Sequence, residues 1–356
     1  MKNERVSYLI MEKKYTYILI ILSYFYLQGC STVEQKKEVS VQSIPNVIIT
    51  TDINNESFSM TDEHALIYLL WHLNNVRLQS VVLEEFNIYG QEKLESILKC
   101  YAEDFNNPSY TFQENNFPAP TSIHQLIVNG GDVGTKKIVR LARQSKETPL
   151  YILVMGSMKS VKDALFLAPD IVEKIRVISV GTGIKPPNED VCGNLNWNGW
   201  GRTEIFERFT DLWWIENDWA FKGMSEGEEP TAFFNNVINY GALGKYLTKS
   251  KIQTINLEEA IPIMFLIDSN INVNHPEFGG WTGNYIKPFP VERPNYWVDR
   301  AKTKKWNYRK PCNSWELADQ VLEERKMNII LRRENMFSSL LSKLNKLYSP
   351  AIRENS

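Results

Sequence analysis

The chain has 356 residues, with 40 Lys and Arg against 42 Asp and Glu, a formal net charge of -2. That balance leaves no basic excess for neutralising phosphates, so nucleic-acid binding is excluded as a main role. Aromatic residues are plentiful at 12%, with 10 Trp, which suits either a large core or a sugar-binding cleft.

Lys13 and Lys14 precede an almost wholly apolar stretch from Tyr15 to Leu27, and the four residues Leu27-Gln28-Gly29-Cys30 read as a lipobox. Residues 1–30 are therefore expected to be a lipoprotein signal peptide, with Met11 the better start and Cys30 the lipidated residue. The apolar run of roughly 13 residues falls short of the ~20 that a spanning helix needs, which argues against a transmembrane anchor. Residues 31–45 form a polar tether, and 46–348 are expected to be a single domain. The expected location is the bacterial cell envelope, exported and held to the membrane through Cys30. Of the other cysteines, Cys100, Cys192 and Cys312 allow one bridge and a spare, or three buried thiols, and their spacing does not suggest zinc.

Val47 to Thr51 is a β-branched apolar run ending at Asp52, as a buried parallel strand would. Thr61 to His72 has helical spacing, with Thr61 or Ser59 placed to cap it. Leu78 to Leu83 reads as a strand. Gln91 to Asp104 and Gly134 to Gln144 read as helices, divided by a loop from Asn106 to Ser122. Leu150 to Met155 is a clear buried strand, turned by Gly156-Ser157 into a helix from about Ser160 to Ala168. Ile175 to Val180 is the next strand. This alternation predicts an α/β fold with a mostly parallel central sheet flanked by helices, followed by an irregular Trp- and Gly-rich second half. Ligands of such sheets bind beyond the carboxyl ends of the strands, where Asp52, Gly156-Ser157 and Gly181-Thr182 should lie. Asn272 to Tyr285 is too Gly-rich for a helix and reads as a structured loop. Trp315 to Leu347 is a long amphipathic helix. His64 and His72 read as a surface residue and a packing residue. At least half of Trp197, Trp200, Trp213, Trp214 and Trp219 read as core.

The main chemical feature is the acidic cluster Asp52, Glu56, Asp62 and Glu63, with Asn54 and Asn55 between. Carboxylates at a strand end can hold a hard divalent cation, although Asp62 and Glu63 would equally favour a helix amino terminus.

Residues 46–345 resemble the nucleoside hydrolase superfamily, and more closely its branch named for a cellulose-binding protein, the Sde182-type nucleoside hydrolase-like domain. Thr51-Asp52-Ile53-Asn54-Asn55-Glu56 followed by Thr61-Asp62-Glu63 is similar to its opening turn, and Leu150 to Ala164 to its central strand–turn–helix. His275-Pro276-Glu277-Phe278-Gly279-Gly280-Trp281-Thr282-Gly283 resembles its glycine–tryptophan element, with Asn295-Tyr296-Trp297 after it. The chain departs from the pattern at Thr61, at Ser57 to Met60 and at Lys159.

The resemblance implies an exported glycosidic-bond hydrolase, assisted by Ca²⁺, acting on a sugar, glycan or nucleoside. It implies Asp52, Glu56 and Asp62 as catalytic carboxylates, and Asp52, Asp62 and Ser157 as metal ligands. Asn55, Asn272, His275 and Trp281 would bind substrate. The alternative is a non-catalytic carbohydrate- or nucleoside-binding lipoprotein with a degenerate metal site.

Overall fold

The computed structural model describes residues 44–53, 60–84, 88–181, 201–249, 253–300 and 315–349, and side chains at all of these save 88, 203 and 315–322. Residues from Ile44 onward form one compact unit. It is built on an eight-stranded sheet of β1 (Asn46–Thr51), β2 (Arg77–Leu83), β3 (Ile127–Asn129), β4 (Leu150–Met155), β5 (Ile175–Val180), β6 (Trp213–Asn217), β7 (Tyr285–Ile286) and β8 (Tyr296–Asp299). The spatial order is β3-β2-β1-β4-β5-β6-β8-β7, and every pairing is parallel except β7 with β8.

The helices are α1 (Thr61–Leu70), α2 (Ile88–Phe105), α3 (Pro120–His124), α4 (Gly131–Gln144), α5 (Lys159–Leu167), α6 (Arg202–Arg208), α7 (Glu229–Val237), α8 (Gly241–Leu247), α9 (Ile261–Ile267) and α10 (Trp315–Leu347). Alternate side chains of each strand enter different layers, as the two-residue period of a strand requires. Val47, Ile49, Leu153 and Met155 join the core shared with α1 and α9, while Ile48, Ile152 and Val154 join that shared with α4 and α5. With both faces covered, the central strands are apolar throughout, which is why β1, β4 and β5 stand out in the sequence.

The expected parallel α/β architecture is therefore present, with some corrections. The loop expected over 106–122 contains the start of α3, and β3 follows it. No side chain caps α1, because Met60 occupies the cap position in the left-handed region at φ 49 and Thr61 is already helical; Ser59 lies outside the described residues. None of the described helices is long and apolar enough to cross a membrane.

Much of the second half is fastened by buried polar groups. The Asp299 carboxylate accepts the backbone N–H groups of Asp218 (2.5 Å) and Ala220 (2.9 Å), tying the end of β8 to the turn after β6. Arg325 of α10 pairs with Asp218, both buried. The far end of α10 is held by Thr111, which donates to the carbonyl of Leu347 (3.2 Å). Beyond it, Tyr348 donates to Asp104 (2.7 Å).

Candidate active site

Strand order reverses between β1 and β4, so the segments leaving these neighbours part and open a crevice at their carboxyl ends. Asp52 follows β1 there, and Gly156-Ser157 follows β4. Gly156 has φ 117, a conformation open in practice only to glycine. A Cβ at Gly156 would overlap the Asp52 carboxylate, so the acid lies directly against the backbone of the neighbouring turn.

Three further contacts assemble an acidic cluster. Thr51 Oγ1, on the last residue of β1, donates to Asp62 Oδ1 at 2.6 Å, drawing the first turn of α1 onto the strand end. Thr61 Oγ1 donates to Glu259 Oε1 at 3.4 Å, bringing in the turn that precedes α9. The Asp62 and Glu259 carboxyls lie within hydrogen-bonding reach of one another, and Glu259 also feels the charge of Asp52. Burial holds Asp62 above the usual carboxylate range, against hydrogen bonds from Thr51 and Glu259 that lower it. Burial and then the charges of Asp62 and Asp52 hold Glu259 well above that range. Oε2 of Glu259 is shut off from solvent and has no hydrogen-bond partner among the described residues. Glu63, next in line, pairs instead with Lys93 at 2.5 Å.

Two facing carboxyls reach their lowest free energy with a shared proton or a cation between them. The chemistry of Asp52, Asp62 and Glu259 therefore fits a hard divalent cation. Among the described residues, however, no group of three or more His, Cys, Asp or Glu side chains forms a metal site. Asn55 and Glu56, expected to take part, lie outside the described residues.

The other expected site residues are distributed as follows. Ser157 is fully buried, and its hydroxyl accepts the Lys159 N–H at 3.2 Å, which leaves its carbonyl as the group to offer a ligand. Lys159 is exposed, and its charge is felt by Glu84. Trp281 is half-buried against the α1–α9 core, and its backbone N–H donates to Asp268 Oδ2 at 2.7 Å. Asn272 and His275 are exposed. Asn272 accepts the Asn274 N–H at 3.0 Å, and His275 stacks on Phe278 with ring centroids 5.0 Å apart. None of these three is among the partners of Asp62 or Glu259.

The surface reading of His64 is overturned. It is 1% exposed, its Nδ1 accepts the Asn256 N–H at 2.9 Å, and burial lowers its pKa to about 4. His72 is a packing residue as expected, with Nδ1 beside the Tyr68 carbonyl at 2.8 Å. Trp214 is core and Trp213 and Trp219 are half-buried, while Trp197 and Trp200 lie outside the described residues. Cys100 is a half-buried free thiol, and Cys192 and Cys312 lie outside the described residues.

Three residues with a place at this edge escaped the sequence reading. Glu259 is one. Arg202 is another: its guanidinium donates to the carbonyls of Gly156 (3.1 Å) and Val180 (2.7 Å) and to Glu216 (3.0 Å), spanning the ends of β4, β5 and β6. Burial raises Glu216 to about 7, even with Arg202 and the Tyr296 hydroxyl (2.7 Å) beside it. The third is Glu84, after β2, which accepts the Ser160 N–H at 3.0 Å and so fixes the start of α5 against the strand edge. The only sequence signal for these was position: Glu84 directly follows a strand, Glu258-Glu259 precede a Pro-initiated helix, and Arg202 opens one.

A parallel sheet with its acids at the β1/β4 crevice defines the class: a nucleoside hydrolase-like α/β protein. Residues 46–285 match the family model described as "Cellulose-binding Sde182, nucleoside hydrolase-like domain", and the chain belongs to that family. Among solved structures, the chain is similar to a nucleoside hydrolase-related protein from Saccharophagus degradans described as associated with carbohydrate metabolism. That likeness has a TM-score of 0.60 at 14% identity and covers 86% of this chain and 72% of that one. An inosine-guanosine nucleoside hydrolase gives a TM-score of 0.49 at 11% identity, over 85% of this chain and 98% of that one. The inosine-uridine preferring nucleoside hydrolase of Bacillus anthracis gives 0.45 at 14% identity, over 80% of this chain and 99% of that one. Among curated protein sequences none matches.

Proposed function

We propose that this protein is a lipid-anchored, exported hydrolase that cleaves a glycosidic bond of a sugar, glycan or nucleoside. The observation that carries the reading is the meeting of Asp52, Asp62 and Glu259 at the β1/β4 crevice. Acids gathered there suit a reaction whose transition state is oxocarbenium-like, since fixed negative charge stabilises the cationic ring. Asp52, half-exposed against Gly156, is the carboxylate best placed to take a proton from an attacking water. Asp62 and Glu259, more enclosed, hold the field and orient ring hydroxyls. Ca²⁺, held by Asp52 and Asp62 with Glu259 beside them, would grip the hydroxyls and lower the pKa of a bound water. The lipobox ending at Cys30 supports export and lipid attachment, which would put the substrate outside the inner membrane.

Thr61 and Lys159, where the chain departs from the family pattern, favour one second reading, a binding protein that retains the crevice without turnover. Calorimetric titration with Ca²⁺, followed by assay on nucleosides and aryl glycosides, separates the two. Turnover that falls on Asp52→Asn supports the hydrolase. Absence of both Ca²⁺ binding and turnover, with sugars still raising the melting temperature, leaves the binder.

A further inference from the structure

A second surface lies on the edge opposite the crevice. The strands β1, β2, β4, β5, β6 and β8 are all parallel, so their amino ends share one edge. Helices α4 and α5 each return the chain from the carboxyl edge to this one, and their last turns lie there. Between those turns is an open groove of about 560 Å³, lined by Lys136, Val139, Arg140, Arg143, Leu167 and Ala168 among others. Val139 and Ala168 are buried and form its apolar floor, while Leu167 is 60% exposed and Phe166 beside it 40% exposed. Arg208 places its guanidinium 4.6 Å from the centre of the Phe166 ring, adding a cation beside the exposed aromatic.

The rim is cationic. Lys136, Arg140 and Arg143 project from α4 at three- and four-residue spacing, which sets them along one side of the helix. Asp170 takes two hydrogen bonds from Arg143 (2.9 and 2.7 Å), and Asp132 lies 3.6 Å from Lys136. Three cations against these two acids leave a local surplus of one, in a chain whose overall balance is -2. An apolar floor under a positive rim matches an acidic bilayer surface, with phosphates meeting the cations and acyl chains meeting Leu167 and Phe166. The chain also enters the domain on this edge, since Ile44 and Pro45 lead directly into β1. Thirteen residues separate Cys30 from Ile44, a reach of at most about 50 Å, so an anchored domain is confined near the membrane.

We infer that the groove between the ends of α4 and α5 docks on anionic phospholipid, so that the crevice at the opposite edge faces away from the bilayer. The inference rests on the reading of Cys30 as the lipid anchor. The test is hydrogen exchange on the lipidated full chain in vesicles of phosphatidylcholine alone or with 30% phosphatidylglycerol. Anionic vesicles should slow exchange over 131–144 and 165–171 at least tenfold, since each cation near an acidic bilayer is worth about 1 kcal/mol. Lys136→Glu/Arg140→Glu should return it to the phosphatidylcholine rate, and Lys136→Gln/Arg140→Gln serves if charge reversal prevents folding. Equal exchange in both vesicles, or protection that survives either pair of substitutions, overturns the docking surface. Inorganic phosphate that protects the same peptides without vesicles overturns it too, by showing a small-anion site. Palmitate labelling reads the anchor separately. If Cys30 takes no label the anchor reading fails, and anionic vesicles added to the unlipidated chain still decide the face.

Discussion

Replacing Gly156 with alanine tests the geometry on which the crevice rests. At φ 117 an alanine backbone is strained by about 1–3 kcal/mol. The new Cβ also collides with the Asp52 carboxylate, which must leave its rotamer or push β1 and β4 apart, adding about 1 kcal/mol. Together these predict a loss of about 2–4 kcal/mol, or about 5–10 °C in melting temperature for a domain of this size. Gly131→Ala supplies the control: its φ is 61, and a Cβ there meets nothing within 4 Å, so it carries backbone strain alone. Differential scanning calorimetry of both variants, repeated with added Ca²⁺, separates strain from displacement of the acid. The reasoning is refuted if Gly156→Ala melts within about 1 °C of the parent, or loses no more than Gly131→Ala and keeps the parental response to Ca²⁺.

Glu259→Gln should raise stability at neutral pH while abolishing any stabilisation by divalent cations. Because the folded pKa of Glu259 lies above its unfolded one, the parent loses stability as pH rises from about 4.5 through the folded value, and this slope should flatten in the variant. His64 and His72 act in the opposite direction. Their folded pKa values of about 4 and about 3 lie below the unfolded 6.5, so their contribution is complete above pH 6.5 and is lost as pH falls below it. By pH 5 each should cost about 2 kcal/mol, and urea denaturation of His64→Gln should show a pH 7.5-to-pH 5 loss smaller by that amount. Arg202→Met should destabilise by about 3–5 kcal/mol, because it strands Glu216 uncompensated inside the sheet edge. Restoration of the parental melting temperature by adding Glu216→Gln would attribute the loss to that charge, and no recovery would refute the account.

The strands β1, β4 and β5 and the helix α10 were legible because their signals are local: unbroken β-branched runs, or a sustained amphipathic period. The short strands were not. β3 has three residues and β7 two, too few to show any period, and β6 reads as Trp-Trp-Ile-Glu-Asn, where aromatics mask the strand pattern. The site divides in the same way. Asp52 and Asp62 announce themselves beside a strand and a helix start. Glu259 stands 198 positions from its partner Thr61, and only tertiary packing joins them. His64 looked like a surface residue because it follows two acids at a helix start. It is covered by the segment around Asn256, which carries no pattern that pairs it with α1.

The fastening of α10 bears on how the chain is made. Asp104 accepts N–H groups from Ala242 and Leu243 and the hydroxyl of Tyr348, so α2, α8 and the last described residues meet on one carboxylate. Trp71 also donates to Tyr348, at 3.0 Å. The early helices thus close on a residue 244 to 277 positions further along the chain. Contacts this distant in sequence delay the final collapse. A chain with that wiring seats its early helices fully only when Tyr348 has docked on Asp104 and Trp71.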